Sequence, residues 1–377
     1  MFTQGFRPFF LGAGVWAFFA SALWMPVYLG WFSLPITFAP APWHAHEMIF
    51  GVVIASLAGF LLTAIPNWTG RLPLRGGALI ALASLWLAGR VATLFALEIG
   101  PVAASLIDLA FLPVLLAVIV REIVAGRNWR NLPITIAVGL LFAANLLIHL
   151  EVLEMFETGG HGLRLAIATM IMLIGLVGGR VIPSFTRNWL AKRDVARLPA
   201  PFGRFDGFVL ALQLAALVAW IIAPEALWVG WALVGAGALA AARLARWRGG
   251  DTLSEPLVWS LHLGFLWVPV GLCLLGLSSI TPVVPVAAGL HALGAGAMGS
   301  MILAVMSRAI LGHTGQDLTA DAWTAAVYIL AATATTARII AAFAPDTQPE
   351  LLWLGIALWM AGFAVFTVRY GRLILAR

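Results

Sequence analysis

The sequence predicts an all-α, polytopic membrane protein of about twelve transmembrane helices, and three observations carry that prediction. Of the 377 residues, 62% are hydrophobic and only 10% are charged, whereas a soluble domain carries roughly 25% charged residues. The apolar residues lie in stretches long enough to cross a hydrocarbon core of about 30 Å, for which a helix needs roughly 20 residues. Basic residues gather in alternate connections between those stretches.

Taken in order, the expected spans are 10–31, 45–66, 76–98, 101–120, 132–150, 162–183, 206–223, 226–246, 256–277, 284–311, 321–344 and 351–371. The first follows Arg7. The second opens after Pro40 and Pro42, which suit the first turn of a new helix. The third ends by Glu98, and the fourth runs into Arg121, Arg127 and Arg130. An acidic loop with Glu151, Glu154 and Glu157 joins the fifth span to the sixth. The longest connection, roughly 184–205, is basic, contains Pro199 and Pro201, and reads as a cytoplasmic linker lying against anionic lipid. Glu225 separates the seventh and eighth spans, and Arg243, Arg246 and Arg248 close the eighth. The tenth ends in Arg308, Asp346 and Glu350 separate the eleventh from the twelfth, and Arg369, Arg372 and Arg377 close the chain.

A net charge of +6 and a pI near 10.6 would suggest nucleic acid as the partner of a soluble protein. Here the placement of the charge matters more than its sum: by the positive-inside rule both termini are cytoplasmic, and the partner is the bilayer, with no nucleic acid. The single cysteine, Cys273, excludes an internal disulfide and a cysteine-built metal cage. The N-terminus lacks a charged n-region and a small-residue cleavage site, so the first span is expected to be retained. No connection is long enough for a second domain, and residues 1–377 read as one transmembrane domain.

An internal repeat is suggested by the ends of two spans, Ile65-Pro66-Asn67-Trp68-Thr69-Gly70-Arg71 and Ile182-Pro183-Ser184-Phe185-Thr186-Arg187, in which an Ile-Pro pair is expected to break the helix at the cytoplasmic surface. His44 and His161 each lie 22 residues before these prolines. The tenth span ends less similarly, in Val305-Met306-Ser307-Arg308, but carries His291 near its outer start. Three units of four spans, 1–130, 131–250 and 251–377, would place the histidine-bearing helices at equivalent positions. Chance likeness among helix ends that favour Pro and Arg is the alternative.

Seven histidines stand in this apolar chain. Histidine is costly in hydrocarbon and is the commonest metal ligand, so the group nearest the outer surface points to a redox site. Trp43-His44-Ala45-His46-Glu47 packs three ionisable groups into one helical turn at a membrane boundary. Residues two apart on a helix point about 200° away from each other, so His44 and His46 cannot chelate one ion in regular geometry. Either the turn is non-helical, or the rings serve different centres, such as two haems or a haem and a copper. His149 ends the fifth span and His161 begins the sixth, which places both at the outer surface. His291 opens a glycine-rich face, Gly289 to Gly299, with room for a planar macrocycle or for close helix packing. The metal-ligand candidates are therefore His44, His46, His149, His161 and His291, with Glu47 as acid or as orienter of a ligand. His262 suits a structural or proton-path role, and His313 a solvated loop.

Two arginines lie inside spans. Arg90 and Asp108 match in depth across a hairpin, and an unpaired charge there would cost several kcal/mol, so they are expected to pair. Arg338 has no acid within its own span and needs an anionic partner from elsewhere, either Asp346, Glu350 or a haem propionate, unless it snorkels to the headgroups. Arg90 and Arg338 are thus candidate cofactor-binding residues.

Three motifs resemble those of the NnrS family: Gly5-Phe6-Arg7-Pro8-Phe9-Phe10-Leu11-Gly12, Trp43-His44-Ala45-His46-Glu47-Met48-Ile49-Phe50-Gly51, and Gly59-Phe60-Leu61-Leu62-Thr63-Ala64 running into Ile65-Pro66-Asn67-Trp68-Thr69-Gly70. That resemblance implies a bacterial inner-membrane protein containing haem b, one or two per chain, and copper, associated with denitrification and defence against nitric oxide. A more distant likeness is to the catalytic subunits of haem–copper oxidases and nitric oxide reductases. The His-His pair on the seventh span and the His-x-His on the tenth that mark those subunits are missing. Two functions follow as expectations. One is a redox enzyme that binds nitric oxide and reduces or detoxifies it with electrons from quinol or another membrane donor. The other is a non-catalytic sensor, electron-relay protein or transporter; the scarcity of paired polar residues at mid-depth weighs against transport.

Overall fold

The computed structural model describes residues 1–193, 195 and 197–376; Arg377, one of the basic residues counted above, lies outside the described residues. The described residues are helical without strands, and twelve helices are long and apolar enough to span a membrane. They are α1 (Phe6–Tyr28), α2 (Pro40–Thr69), α3 (Gly77–Leu94), α4 (Pro101–Ala125), α5 (Trp129–Val152), α6 (His161–Ala191), α7 (Arg204–Ile222), α8 (Leu227–Ala245), α9 (Pro256–Ile280), α10 (Val286–His313), α11 (Ala322–Phe343) and α12 (Pro345–Leu375).

Two expectations about helix ends are corrected. Pro66 and Pro183 lie inside continuing helices, which run on to Thr69 and Ala191. Proline removes one backbone hydrogen bond, but local adjustment inside a protein lets a membrane helix tolerate that loss. Thr69 and Thr186 each donate a hydroxyl hydrogen bond, 2.9 Å long, to the carbonyl four residues back. The expected linker from 184 consequently begins with about two more helical turns, 184–191.

The chain forms two compact units. The first comprises Met1–Thr169 and the end of the chain from Tyr370, and the second Met170–Arg369. In the first, Phe6, Phe9 and Phe10 are completely buried. α1 meets α2 where a β-carbon on Gly59 would come within 2.7 Å of the Phe10 ring, so only glycine permits the approach. Lipid is as apolar as phenylalanine, so this contact stabilises by close packing rather than by removal from water. Arg7 Nη1 donates to the carbonyls of Ile374 (2.7 Å) and Ala376 (2.5 Å), covering acceptors that the end of α12 leaves without intrahelical partners. In the second unit α8 and α9 are in near backbone contact: a β-carbon on Gly276 would fall 2.5 Å from the Gly230 carbonyl oxygen.

Three spans differ from the rest. α2, α6 and α10 have 72%, 67% and 67% of their apolar stretches buried inside the protein, against 33–50% in the others. Each also contains a π-helical turn, at Glu47–Val53, Ile174–Gly178 and Ala292–Gly299. Such turns leave backbone groups short of partners and concentrate at functional sites. Side chains from neighbouring spans answer them: Trp86 Nε1 donates to the Gly51 carbonyl at 3.1 Å, and Arg243 Nη1 to the Gly175 carbonyl at 2.9 Å.

Candidate metal centre

His46 ends the first α-helical turns of α2, and Glu47 opens its π-helical turn. Here both are buried, and they contact one another, His46 Nδ1 lying 3.1 Å from Glu47 Oε1. Four donors converge on the Glu47 carboxylate. Trp16 Nε1 and Arg90 Nη1 reach Oε2 at 2.7 and 2.8 Å, while the Thr93 hydroxyl and His46 reach Oε1 at 3.0 and 3.1 Å. With its lone pairs so engaged, the Glu47 carboxylate is held in place against His46.

Arg90 continues the network. Its Nη2 pairs with Asp108 Oδ1, the contact expected from their matched depths. Asp108 Oδ2 receives Asn145 Nδ2 at 2.9 Å and His149 Nε2 at 2.8 Å, and lies 3.3 Å from His46 Nε2. Asn145 Oδ1 completes the ring at 2.9 Å from His46 Nε2. Ligating atoms of His46, Asp108 and His149 thus lie within 4.8 Å of one another, and all three residues are buried. Two imidazoles and a carboxylate are a donor set for a transition ion such as iron, copper or zinc. The charges agree with a cation: Glu47 and Asp108 bring two negative charges and Arg90 one positive, which leaves one negative charge in a buried site when the imidazoles are neutral. Both ring nitrogens of His46 face oxygen acceptors, so a proton or a metal ion is needed to complete the ring.

A single ion fits these residues and a macrocycle does not. Phe38 and Phe50 cover the His46 ring at centroid distances of 4.9 and 5.0 Å, and the His149 ring follows at 5.3 Å, which leaves no flat opening beside the imidazoles.

The other expected ligands are placed differently. His44 points away from His46, as helical geometry requires, and stacks on Trp24 at 4.3 Å. His161 Nδ1 faces the Thr158 carbonyl. His291 Nδ1 donates to the Ala287 carbonyl at 2.7 Å, so Nε2 is the acceptor of the 2.7 Å bond from Arg338 Nη2. Both ring nitrogens of His291 are thus engaged, and Arg338 meets an imidazole. At two of the glycines neighbouring side chains pack closely, since β-carbons on Gly289 and Gly296 would strike Leu275 and Trp267 at 2.7 and 2.6 Å, whereas one on Gly294 would meet nothing within 4 Å. His262 is buried with Nε2 2.8 Å from the Thr186 hydroxyl, and His313 is exposed.

Sequence reasoning named His46, His149, Glu47, Arg90 and Asp108 but gave Asp108 only the part of a counter-charge, and it passed over Asn145 and Thr93. A lone asparagine in an apolar span was the available signal. Among curated proteins none matches the chain. The family model described as NnrS protein matches it from end to end, residues 1–377, and the chain accordingly belongs to the NnrS family of membrane proteins, which is linked to the response to nitric oxide.

Proposed function

We propose that this multi-pass membrane protein acts in the nitric oxide response through a transition ion held by His46, Asp108 and His149, and that nitric oxide meets the protein there. The observation that supports this most directly is the three ligating atoms within 4.8 Å in a buried network with one negative charge left over. A bound iron or copper would supply a redox-active centre of the kind nitric oxide binds. The chain's own residues do the rest. Glu47 fixes the ring of His46 through Nδ1, which leaves Nε2 toward the ion. Arg90 ties Glu47 to Asp108 and holds both carboxylates in place, and Phe38 and Phe50 shield the imidazoles from water. Reduction or detoxification with electrons from quinol or another membrane donor, in a bacterial inner membrane with both termini cytoplasmic, completes the reading. A haem b would belong away from this cluster, at His44 or His161. A sensor or electron-relay protein would use the same ligands without turnover.

The test is metal content per chain, measured on the purified protein and on His46→Ala, Asp108→Asn, His149→Ala and His291→Ala, with nitric oxide added and followed by optical and electron-spin spectra. Near-stoichiometric non-haem iron or copper, counted after subtraction of any haem iron, is expected in the wild type and in His291→Ala, with at least about tenfold loss in the other three. Full retention of metal in His46→Ala and His149→Ala would overturn the proposal.

A further inference from the structure

Two of the three spans with π-helical turns carry the same pattern, one in each unit. His46 immediately precedes Glu47–Val53, and His291 immediately precedes Ala292–Gly299. In each, a threonine 23 residues after the histidine donates its hydroxyl to the isoleucine carbonyl four back, Thr69 to Ile65 at 2.9 Å and Thr314 to Ile310 at 2.7 Å. Gly70 and Gly315 follow, with φ of 69° and 70°. The next span carries Arg90-Val91-Ala92-Thr93-Leu94-Phe95-Ala96 in one case and Arg338-Ile339-Ile340-Ala341-Ala342-Phe343-Ala344 in the other. Arg90 reaches Glu47 in the first turn, and Arg338 reaches His291 at the second. A tryptophan of the preceding span packs on the glycine five residues after each histidine. A β-carbon on Gly51 would lie 2.5 Å from Trp16 Nε1, and one on Gly296 would lie 2.6 Å from Trp267 Cγ.

The two copies differ at the residue after the histidine, which is Glu47 in one and the fully buried Ala292 in the other. Trp16 Nε1 donates to Glu47 Oε2. Trp267, at the corresponding position, turns a different part of its ring to the glycine, and its Nε1 is buried with no hydrogen-bond acceptor among the described residues. A buried N–H left in that state is costly, and one kept opposite a missing carboxylate points to a carboxylate that comes from outside the chain.

We infer that the second unit holds an anion site in which a planar, two-oxygen anion, a carboxylate or nitrite, takes the place of the Glu47 carboxylate, accepting from Trp267 Nε1 beside the Arg338 guanidinium. The fixed positive charge of arginine and its planar donors suit that geometry. The site involves none of the residues of the metal centre, so it stands or falls independently of metal binding. A free anion and a carboxylate borne by a larger bound molecule would make the same contacts.

The test uses the full-length protein in detergent, titrated with sodium formate and sodium nitrite against sodium chloride at constant ionic strength and read by thermal unfolding. Formate and nitrite should raise the midpoint saturably where chloride does not. Arg338→Gln should weaken the apparent affinity by about tenfold or more. Ala292→Glu, which restores the carboxylate, should raise the midpoint by itself and abolish the response. If the wild type is silent to free anions but acid extraction releases a carboxylate-bearing molecule that Ala292→Glu no longer retains, the site is the same and its occupant is the larger molecule. A wild type silent to free anions that releases no such molecule, or an Ala292→Glu protein that responds like the wild type, would overturn the inference.

Discussion

The Arg90 network can be taken apart charge by charge. The Arg90 side chain is 3% exposed and joins Glu47 to Asp108, so Arg90→Met turns a site of charge −1 into one of charge −2. Removing one partner of a buried ion pair costs about 3–5 kcal/mol, and here two carboxylates lose their common partner, which places the cost toward the upper end. Asp108→Asn keeps the shape, brings the site to zero charge and loses one charged hydrogen bond, for about 1–3 kcal/mol. Arg90→Met with Asp108→Asn returns the site to −1, and the double variant should be more stable than the sum of the single losses by about 1–3 kcal/mol. Equilibrium unfolding of all four proteins in mixed micelles, followed by circular dichroism, measures that coupling. Additivity within about 0.5 kcal/mol would show that the three charges do not act as a unit and would refute the reasoning.

Further expectations follow from other contacts. Gly276→Val should drive a side chain into the Gly230 carbonyl and destabilise the second unit by about 1–3 kcal/mol or more, with limited proteolysis cutting the loop between α8 and α9 first. Asp321 lies outside the spans. Partial burial pushes its carboxyl up, but hydrogen bonds from the Thr324 hydroxyl and N–H and the pairing with Arg369 Nε at 2.6 Å hold it below the usual carboxylate range. Its folded-state value is therefore depressed, and the stability it contributes is present above the unfolded carboxylate value of about 3.9 and is lost as pH falls through the folded one. Asp321→Asn, which can still cap α11, should flatten that acidic limb in a pH series of thermal unfolding midpoints without moving the midpoint's dependence on pH above 6 as the wild type shows it.

The spans were legible because lipid demands long apolar helices, and the observed ends fall within a few residues of the expected ones in most cases. Pro66 and Pro183 misled because the rule that proline ends a helix comes from water, where a freed carbonyl finds solvent and the chain is free to turn away. Inside a membrane protein the helix continues. Arg90 and Asp108 could be paired by depth alone, since hydrocarbon makes an isolated charge so expensive. Which imidazoles meet was not legible. His46 and His149 come from α2 and α5, and nothing within either span says that their rings face one another, while the tautomer of His291 depends on a carbonyl of its own short first turn. Asn145 was missed because an amide carries no charge to balance, so nothing in the composition demanded a partner for it.

The clasp of Arg7 on the carbonyls of Ile374 and Ala376 brings residues near the start of the first helix and the end of the last one together. Tethering them with a short flexible peptide and reopening the chain at a different connection should yield a circular permutant that still inserts and assembles. It would also make this scaffold suitable for reporters placed at new ends close to the turn that carries His46, without disturbing the old ones.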